Sequence, residues 1–328
     1  MNHRERFHAV MNFQPVDRLP WVEWASWWDK TLDRWFAEGL DAPRDRYALY
    51  EYFGLDPYFQ HWFSPRGPSF PRVAHGQPVV RTMDEYEALK HAGGLFPPLD
   101  GPLEGIAPWA VRQRAGQAVI WITLEGFFWW PRALLGIENH LLAFYDQPEL
   151  MHRINADLCG FHLETIRRLA PVCRPDFMTF AEDMSYNHGP MLSRGLFEEF
   201  VAPYYHKVIP ALKELGTRVL VDTDGDVTAM APWLLSAGIE GVLPLERQAG
   251  VDAGKLRAAF PKLLMIGHFD KMVMNRGEAA IRVEYERLLP VMRSGGFVPG
   301  VDHQTPPGVS LEEYRAYLRL MREYTRGH

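Results

Sequence analysis

The stretch RVLVDTDGDVTAMAPWLLSAGIEGVLPLE, residues 218–246, carries the pattern that decides the fold. Its apolar run at 218–222 is followed by acidic residues around a glycine, by a helical pattern over 228–238, and by another apolar run at 241–246. A strand, a helix and a strand in this order are typical of a parallel sheet whose strands are joined by crossover helices.

The same alternation runs from residue 117 to the C-terminus, with at least five strand-and-helix units. Neither GxGxxG nor GxxxxGKS opens any of the helices, which argues against a nucleotide-binding open sheet. Before this region, RERFHAVMNF predicts a helix, LPWVEW a first strand, and residues 29–53 a further helix. We therefore predict an α/β fold, a TIM (β/α)8 barrel with an N-terminal helical extension, as a single domain over residues 1–328.

Composition narrows the classes of function. A formal charge of -6 and a pI near 6.1 give no reason to expect binding to nucleic acid or to an anionic membrane. The N-terminus has no apolar signal core, and no window approaches the ~20 apolar residues that cross a bilayer. We expect a cytoplasmic protein that acts on a small molecule, with a homodimer as one possible assembly.

Ionisable residues follow almost every predicted strand. Because the carboxyl ends of barrel strands meet at one face, these side chains are expected to converge there, where barrel enzymes carry their active sites. The spacing is regular, since Asp224, Glu246 and His268 are 22 residues apart. The candidates at these ends are Glu125, Glu182, Asp183, Asp222, Asp224, Glu246, His268, Asp270, Asp302 and His303.

A divalent metal, zinc above all, is the expected partner of these groups. The chain has two cysteines, Cys159 and Cys173, which form no thiolate motif, so the ligands must be oxygen and imidazole. A bound cation would lower the cost of clustering carboxylates. The predicted metal ligands are Asp222, Asp224, Glu246, His268 and His303, whereas Asp226 is expected to cap the following helix.

Tryptophans are dense near the N-terminus, where WVEWASWW occupies residues 21–28. This segment has too many indoles in succession for one buried face, so part of it is expected to line or cover a substrate pocket. The residues predicted to bind substrate are Trp21, Trp24, Trp27, Trp28 and Glu182.

The whole chain resembles the uroporphyrinogen decarboxylase superfamily, on motifs that fall in the expected order. These are VDRLP, YFGLD, LLGIENHL, DTDGDV, AGIEGVLPLE, GHFDK and GGFVPGVDHQTPPGVSLEEY. The superfamily contains tetrapyrrole decarboxylases and corrinoid-dependent methyltransferases on one barrel fold. The resemblance implies that His303 and Asp56 match the active-site histidine and aspartate of the decarboxylases, with Asp183 as a further catalytic candidate.

This sequence departs from both branches. Where the decarboxylases carry an arginine-rich segment for substrate carboxylates, it has Glu23 and tryptophans, so an octa-acidic tetrapyrrole would meet like charge. Where the methyltransferases carry His-x-Cys, it has Asp222 and Asp224, followed by Glu246 and by Asp302 or His303.

The departures favour a metal-dependent methyltransferase of the O-demethylase type. It would move a methyl group from a small methoxylated, aromatic donor to a corrinoid on a partner protein, with the metal as Lewis acid. The alternatives are a decarboxylase of a small carboxylic acid or of a porphyrinogen, in which His303 or Asp56 protonates the product carbon, and a binding protein without turnover.

Overall fold

Seven parallel strands form the central sheet in the computed structural model, which describes residues 1–25 and 27–327. The sheet order is β1-β2-β3-β6-β7-β8-β9, and β4 pairs with β5 as a separate antiparallel hairpin. The strands are β1 (Tyr58–Phe63), β2 (Val119–Glu125), β3 (Phe177–Ala181), β4 (Ser185–Tyr186), β5 (Gly189–Pro190), β6 (Arg218–Asp222), β7 (Gly241–Leu243), β8 (Leu264–Phe269) and β9 (Phe297–Val301).

Helices precede the sheet and connect its strands, and the described residues also contain a 3-10 helix at Lys271–Arg276. The predicted N-terminal helical extension is confirmed, although the helix predicted over 29–53 is two helices, α2 and α3. The helices are α1 (His3–Met11), α2 (Asp29–Ala37), α3 (Arg46–Tyr52), α4 (Met83–His91), α5 (Asp100–Arg114), α6 (Trp129–Leu135), α7 (Ile137–Asp146), α8 (Pro148–Leu169), α9 (Arg194–Phe200), α10 (Ala202–Glu214), α11 (Ala231–Ser236), α12 (Ala253–Ala259), α13 (Glu278–Met292) and α14 (Leu311–Tyr324).

The predicted α/β barrel-type architecture is confirmed, with one difference in the sheet. The segment predicted as a first strand, residues 19–24, is extended but joins no ladder. Its Trp21 carbonyl accepts the N–H of Asp56 at 2.8 Å, and its Trp24 Nε1 donates to the carbonyl of Val301 at 2.6 Å. The segment thus lies between the two edge strands, where Pro20, which has no N–H, weakens any regular pairing.

Most of the sheet is buried, as a parallel sheet covered by helices requires. Every residue of β2, β3, β8 and β9 is buried. No helix within residues 1–25 and 27–327 combines the length and apolar character needed to cross a bilayer.

Helix α1 packs at the amino ends of the strands. Phe7 contacts Tyr58 and Phe177, the first residues of β1 and β3, with ring centroids 5.8 and 5.0 Å apart. On the same side, Asp176 accepts hydrogen bonds from Arg4 at 2.6 Å and pairs with His8 at 2.7 Å. This packing covers the amino ends and leaves the carboxyl ends for the site described next.

Candidate active site

A cavity of about 400 Å³ lies at the carboxyl ends of the strands, and we call it the acidic cavity. Asp222 ends β6, Asp183 lies two residues after β3, and His303 lies two residues after β9. Adjacent strand ends therefore bring together side chains that are far apart in sequence. The acidic cavity is lined by Trp24, Ala25, Gln60, Trp62, Trp121, Asp183, Asp222, Asp224, His303 and Gln304.

The three aspartates of the acidic cavity all have raised pKa values. Burial raises the pKa of Asp222 well above its usual value, and the charges of Asp183 and Asp224 add to the shift. Burial also raises the pKa of Asp183, and it raises that of Asp224 together with the charges of Asp183 and Glu246. Asp224 is the most solvated, with 43% of its side chain exposed, so water screens part of its interaction with the others.

His303 lies beside Asp224 at the mouth of the acidic cavity. Its Nε2 is 3.7 Å from Asp224 Oδ2, and its ring meets that of Trp24 edge to face at 5.9 Å. Burial lowers the pKa of His303, and the nearby Lys271 ammonium lowers it further. A neutral imidazole beside a carboxyl group is equipped to relay a proton.

Of the four tryptophans predicted to bind substrate, the structure places Trp24 in the acidic cavity. Trp21 donates its indole N–H to Thr325 at 2.8 Å and lies under the guanidinium of Arg18, 3.8 Å from the ring centroid. Trp27 is buried among aromatic rings that include Trp35, and Trp28 is 43% exposed at the start of α2. The three are therefore absent from the lining of the acidic cavity.

Two other tryptophans line the acidic cavity, and the sequence pattern did not single them out. Trp62 lies near the end of β1 and is 46% exposed, whereas Trp121 lies within β2 and is buried. Trp121 donates its indole N–H to Thr179 at 2.9 Å, which fixes the ring against the neighbouring strand. Trp62 could have been predicted from its place near the carboxyl end of β1, but only if β1 had first been recognised as a strand of the sheet.

Asp56 lies at the opposite end of the sheet from His303. It precedes β1 by two residues, and its carboxylate pairs with Arg18 at 2.6 Å and with His3 at 3.1 Å. Burial opposes ionisation here, but the bonds from His3 and Arg18 outweigh it and lower the pKa. The structure therefore does not bring together the two residues that the resemblance paired as catalytic, because strand β1 separates them.

Glu182 is fully buried and is engaged by the protein itself. Its carboxylate accepts the backbone N–H groups of Phe127 and Phe128 at 2.8 Å and of Trp129 at 3.2 Å, as well as the hydroxyl of Tyr205. These N–H groups lie at the start of α6, where a helix leaves its donors unsatisfied. Glu182 thus anchors α6, and it is not among the residues that line the acidic cavity.

The predicted metal ligands do not share a centre. His268 is buried, its Nδ1 lies 2.8 Å from the carbonyl of Leu245, and its Nε2 accepts the N–H of Ala253 at 3.1 Å. Glu246 accepts the N–H of Gly225 at 3.0 Å, and the Lys271 ammonium lies 3.7 Å from it. Asp222, Asp224 and His303 remain together in the acidic cavity.

This arrangement does not fit the predicted five-residue metal site. Within residues 1–25 and 27–327, no three of the His, Cys, Asp and Glu side chains are grouped to hold a metal ion. Lys271 already supplies a cation to the carboxylates beside the cavity, lying 3.3 Å from Asp302. We therefore derive no chemical step through a metal, and the requirement for zinc stays a prediction.

Comparison with known proteins identifies the family. The family model for uroporphyrinogen decarboxylase (URO-D) matches residues 130–324, more than half of the chain. The chain belongs to this family, as its motifs predicted.

A solved structure agrees with this chain at the level of the fold. A methyltransferase from Methanosarcina mazei is 15% identical, with a TM-score of 0.67 and 99% of each chain covered. A putative vitamin-B12 independent methionine synthase from Listeria monocytogenes matches less well, at 13% identity over 63% of each chain, with a TM-score of 0.37. No curated protein matches the sequence.

Proposed function

We propose that this protein is an enzyme that removes a methyl group from a small donor bound in the acidic cavity and passes it to a corrinoid on a partner protein. The observation that carries the proposal is the lining of this cavity, in which indoles, three carboxyl groups and an imidazole meet at the carboxyl ends of the strands. The sequence favours a methoxylated aromatic compound as the donor.

The carboxyl groups would assist departure of the demethylated product. When the bond between the ether oxygen and its methyl carbon breaks, the bonding electrons stay on the oxygen, which needs a proton to leave as a phenol. Asp224 supports this role because burial raises its pKa and because it borders solvent beside His303. The corrinoid would accept the methyl group.

The charge of the acidic cavity speaks against the decarboxylase alternative. Its lining contains three aspartates and, within the described residues, neither lysine nor arginine. A carboxylic acid substrate would enter as an anion and would meet groups of like charge when the aspartates ionise. A neutral or cationic donor avoids this cost.

Asp224→Asn tests the proposal. With 2-methoxyphenol and reduced cobalamin under anaerobic conditions, the wild-type protein is expected to form methylcobalamin, and the variant to form it about 100-fold more slowly, because asparagine donates no acidic proton. The product is followed by its absorbance spectrum.

Asp226→Asn is the matched control. Its carboxylate accepts the N–H of Thr228 at 2.9 Å and does not line the acidic cavity, so the rate should stay within about twofold of wild type. Equal rates for both variants would remove Asp224 from the mechanism. Release of carbon dioxide from small acids, with no methyl transfer from any donor, would overturn the proposed function.

A further inference from the structure

We infer that the acidic cavity binds a small N-methylated ammonium cation, the donor class that its walls and its charge select together. Three tryptophans and three aspartates line one cavity, and each set on its own would suit a different ligand. The inference deepens the proposed function by naming ammonium compounds as a class of donor that the cavity would bind beside the methoxylated aromatic. It rests on that function only for the identity of the donor, since binding can be measured without turnover.

The indoles offer apolar ring surface to a ligand. Trp24 and Trp121 use their N–H groups within the protein, on the Val301 carbonyl and the Thr179 hydroxyl, so these groups are not free for a polar ligand. Trp62 completes the set at the solvent side, where nearly half of its surface is exposed. Trp121 is buried and stacks on Phe177 with ring centroids 5.2 Å apart, so Trp62 supplies most of the ring surface that could attract a quaternary ammonium through cation–π interactions.

The charge of the acidic cavity is compensated only in part, since Arg132 acts on Asp183 and Lys271 on Asp224, whereas no positive group acts on Asp222. Among the described residues, the Asp222 carboxyl group accepts no hydrogen bond, and the charges that act on it belong to Asp183 and Asp224, both negative. The nearest ammonium group, that of Lys271, is engaged by Asp302 and Glu246. Asp222 is half-buried, so water screens its charge only in part, and a cationic ligand would gain from pairing with it.

The two features together favour a methylated ammonium over other small cations. The described side chains form no grouped ligand set for a divalent metal. A primary ammonium could bind the carboxyl groups, but it would lose more hydration than a methylated ammonium on meeting the indoles. The volume of about 400 Å³ suits a ligand of this size.

The test is isothermal titration calorimetry of the full chain with choline and with 3,3-dimethylbutan-1-ol. The alcohol has the shape of choline but carries carbon in place of the charged nitrogen. We expect choline to bind at least tenfold more tightly than the alcohol, and 2-methoxyphenol to bind more weakly than choline.

Two variants assign this binding to the acidic cavity. Trp62→Leu and Asp222→Asn should each weaken choline binding at least tenfold. Trp28→Leu is the matched control, because its indole has nearly the same exposure but lies outside the cavity, so its affinity for choline should equal that of wild type. Thermal denaturation confirms that each variant is folded.

The outcomes separate this inference from the proposed function. Equal affinity for choline and the alcohol, no binding of choline, or full affinity in both cavity variants would overturn the inference. Methyl transfer from 2-methoxyphenol without choline binding would leave the proposed function standing alone. Choline binding that depends on Trp62 and Asp222, without methyl transfer to cobalamin, would support the cation site and contradict the proposed function.

Discussion

Glu182→Ala is expected to lower the free energy of unfolding by about 4 kcal/mol. The substitution removes the acceptor of three backbone N–H groups at the start of α6 and of the Tyr205 hydroxyl, and all four donors are left in a buried site. An unsatisfied buried donor costs about 1–3 kcal/mol, and water entering the vacated space offsets part of the sum.

The Glu182 carboxylate is packed closely against the backbone at Gly126. A Cβ atom on Gly126 would lie 2.1 Å from the Glu182 carboxyl carbon, so the glycine permits the close approach. Burial raises the pKa of Glu182 to about 7, although each of its four donors favours the ionised form. The backbone N–H groups of Phe127, Phe128 and Trp129 therefore depend on this single side chain for their hydrogen bonds.

Urea denaturation of the variant measures the effect. Glu182→Gln keeps one acceptor oxygen and should lose about half as much stability, whereas Glu104→Ala, on the exposed face of α5, should change it by less than about 0.5 kcal/mol. A Glu182→Ala protein as stable as wild type but unable to bind ligand would instead support the substrate-binding role that the sequence predicted.

The sequence predicts the fold well where apolar runs are short and clearly bounded. The runs in RVLVDTDGD and KLLMIGHFD became β6 and β8, and the acidic turn after the first of them lies at the predicted face. Segment 19–24 has the same appearance but forms no ladder. Strand pairing depends on a neighbour far away in sequence, and periodicity within one segment carries no information about that neighbour.

The sequence likewise predicted only part of the candidate site. Asp183, Asp222, Asp224 and His303 meet because each lies at or just after the end of a parallel strand, which the sequence indicates. His268 also lies near the end of its strand, β8, yet its ring is hydrogen-bonded to the carbonyl of Leu245, and its positive φ of 70° departs from regular strand geometry. Local backbone conformation of this kind depends on tertiary contacts.

The tryptophans show a further limit of prediction from the sequence. A strand buried on both faces lacks the alternation of apolar and polar residues, so the sequence of β2 does not reveal which side chains point inward. Trp121 therefore went unnoticed. In WVEWASWW the density of indoles predicts one common pocket, but Trp21 contacts Thr325 and Trp27 contacts Trp35, and Trp24 alone of the four lines the acidic cavity.

Glu23→Gln is expected to stabilise the protein relative to wild type at alkaline pH, by about 5 kcal/mol at most. Glu23 is fully buried, and its Oε1 accepts the Tyr314 hydroxyl at 3.0 Å, while Oε2 has no hydrogen-bond partner among the described residues. Burial raises the pKa of this carboxyl group from 4.5 to about 8, and neither Tyr314 nor the charge of Arg46 cancels the shift.

The direction of this pH effect follows from the protonation of Glu23 in the folded and in the unfolded chain. In the unfolded chain Glu23 loses its proton near pH 4.5, whereas in the folded protein it keeps the proton up to about pH 8. The folded state therefore binds more protons across this range, so the free energy of unfolding falls as the pH rises from about 5 to 8 and then levels off. Glutamine keeps the acceptor for Tyr314 but does not titrate, so the variant escapes this decline.

Urea denaturation at pH 5, 6.5 and 8 checks the expectation. The two proteins should agree within about 1 kcal/mol at pH 5 and diverge steadily towards pH 8, with the variant more stable. Glu104→Gln, which changes an exposed glutamate, should follow wild type at every pH. Parallel curves for wild type and Glu23→Gln would mean that Glu23 ionises in the folded protein with the help of Arg46, whose charge lies close enough to act on it. The difference between the slopes thus reports the protonation state of Glu23 within its aromatic surroundings.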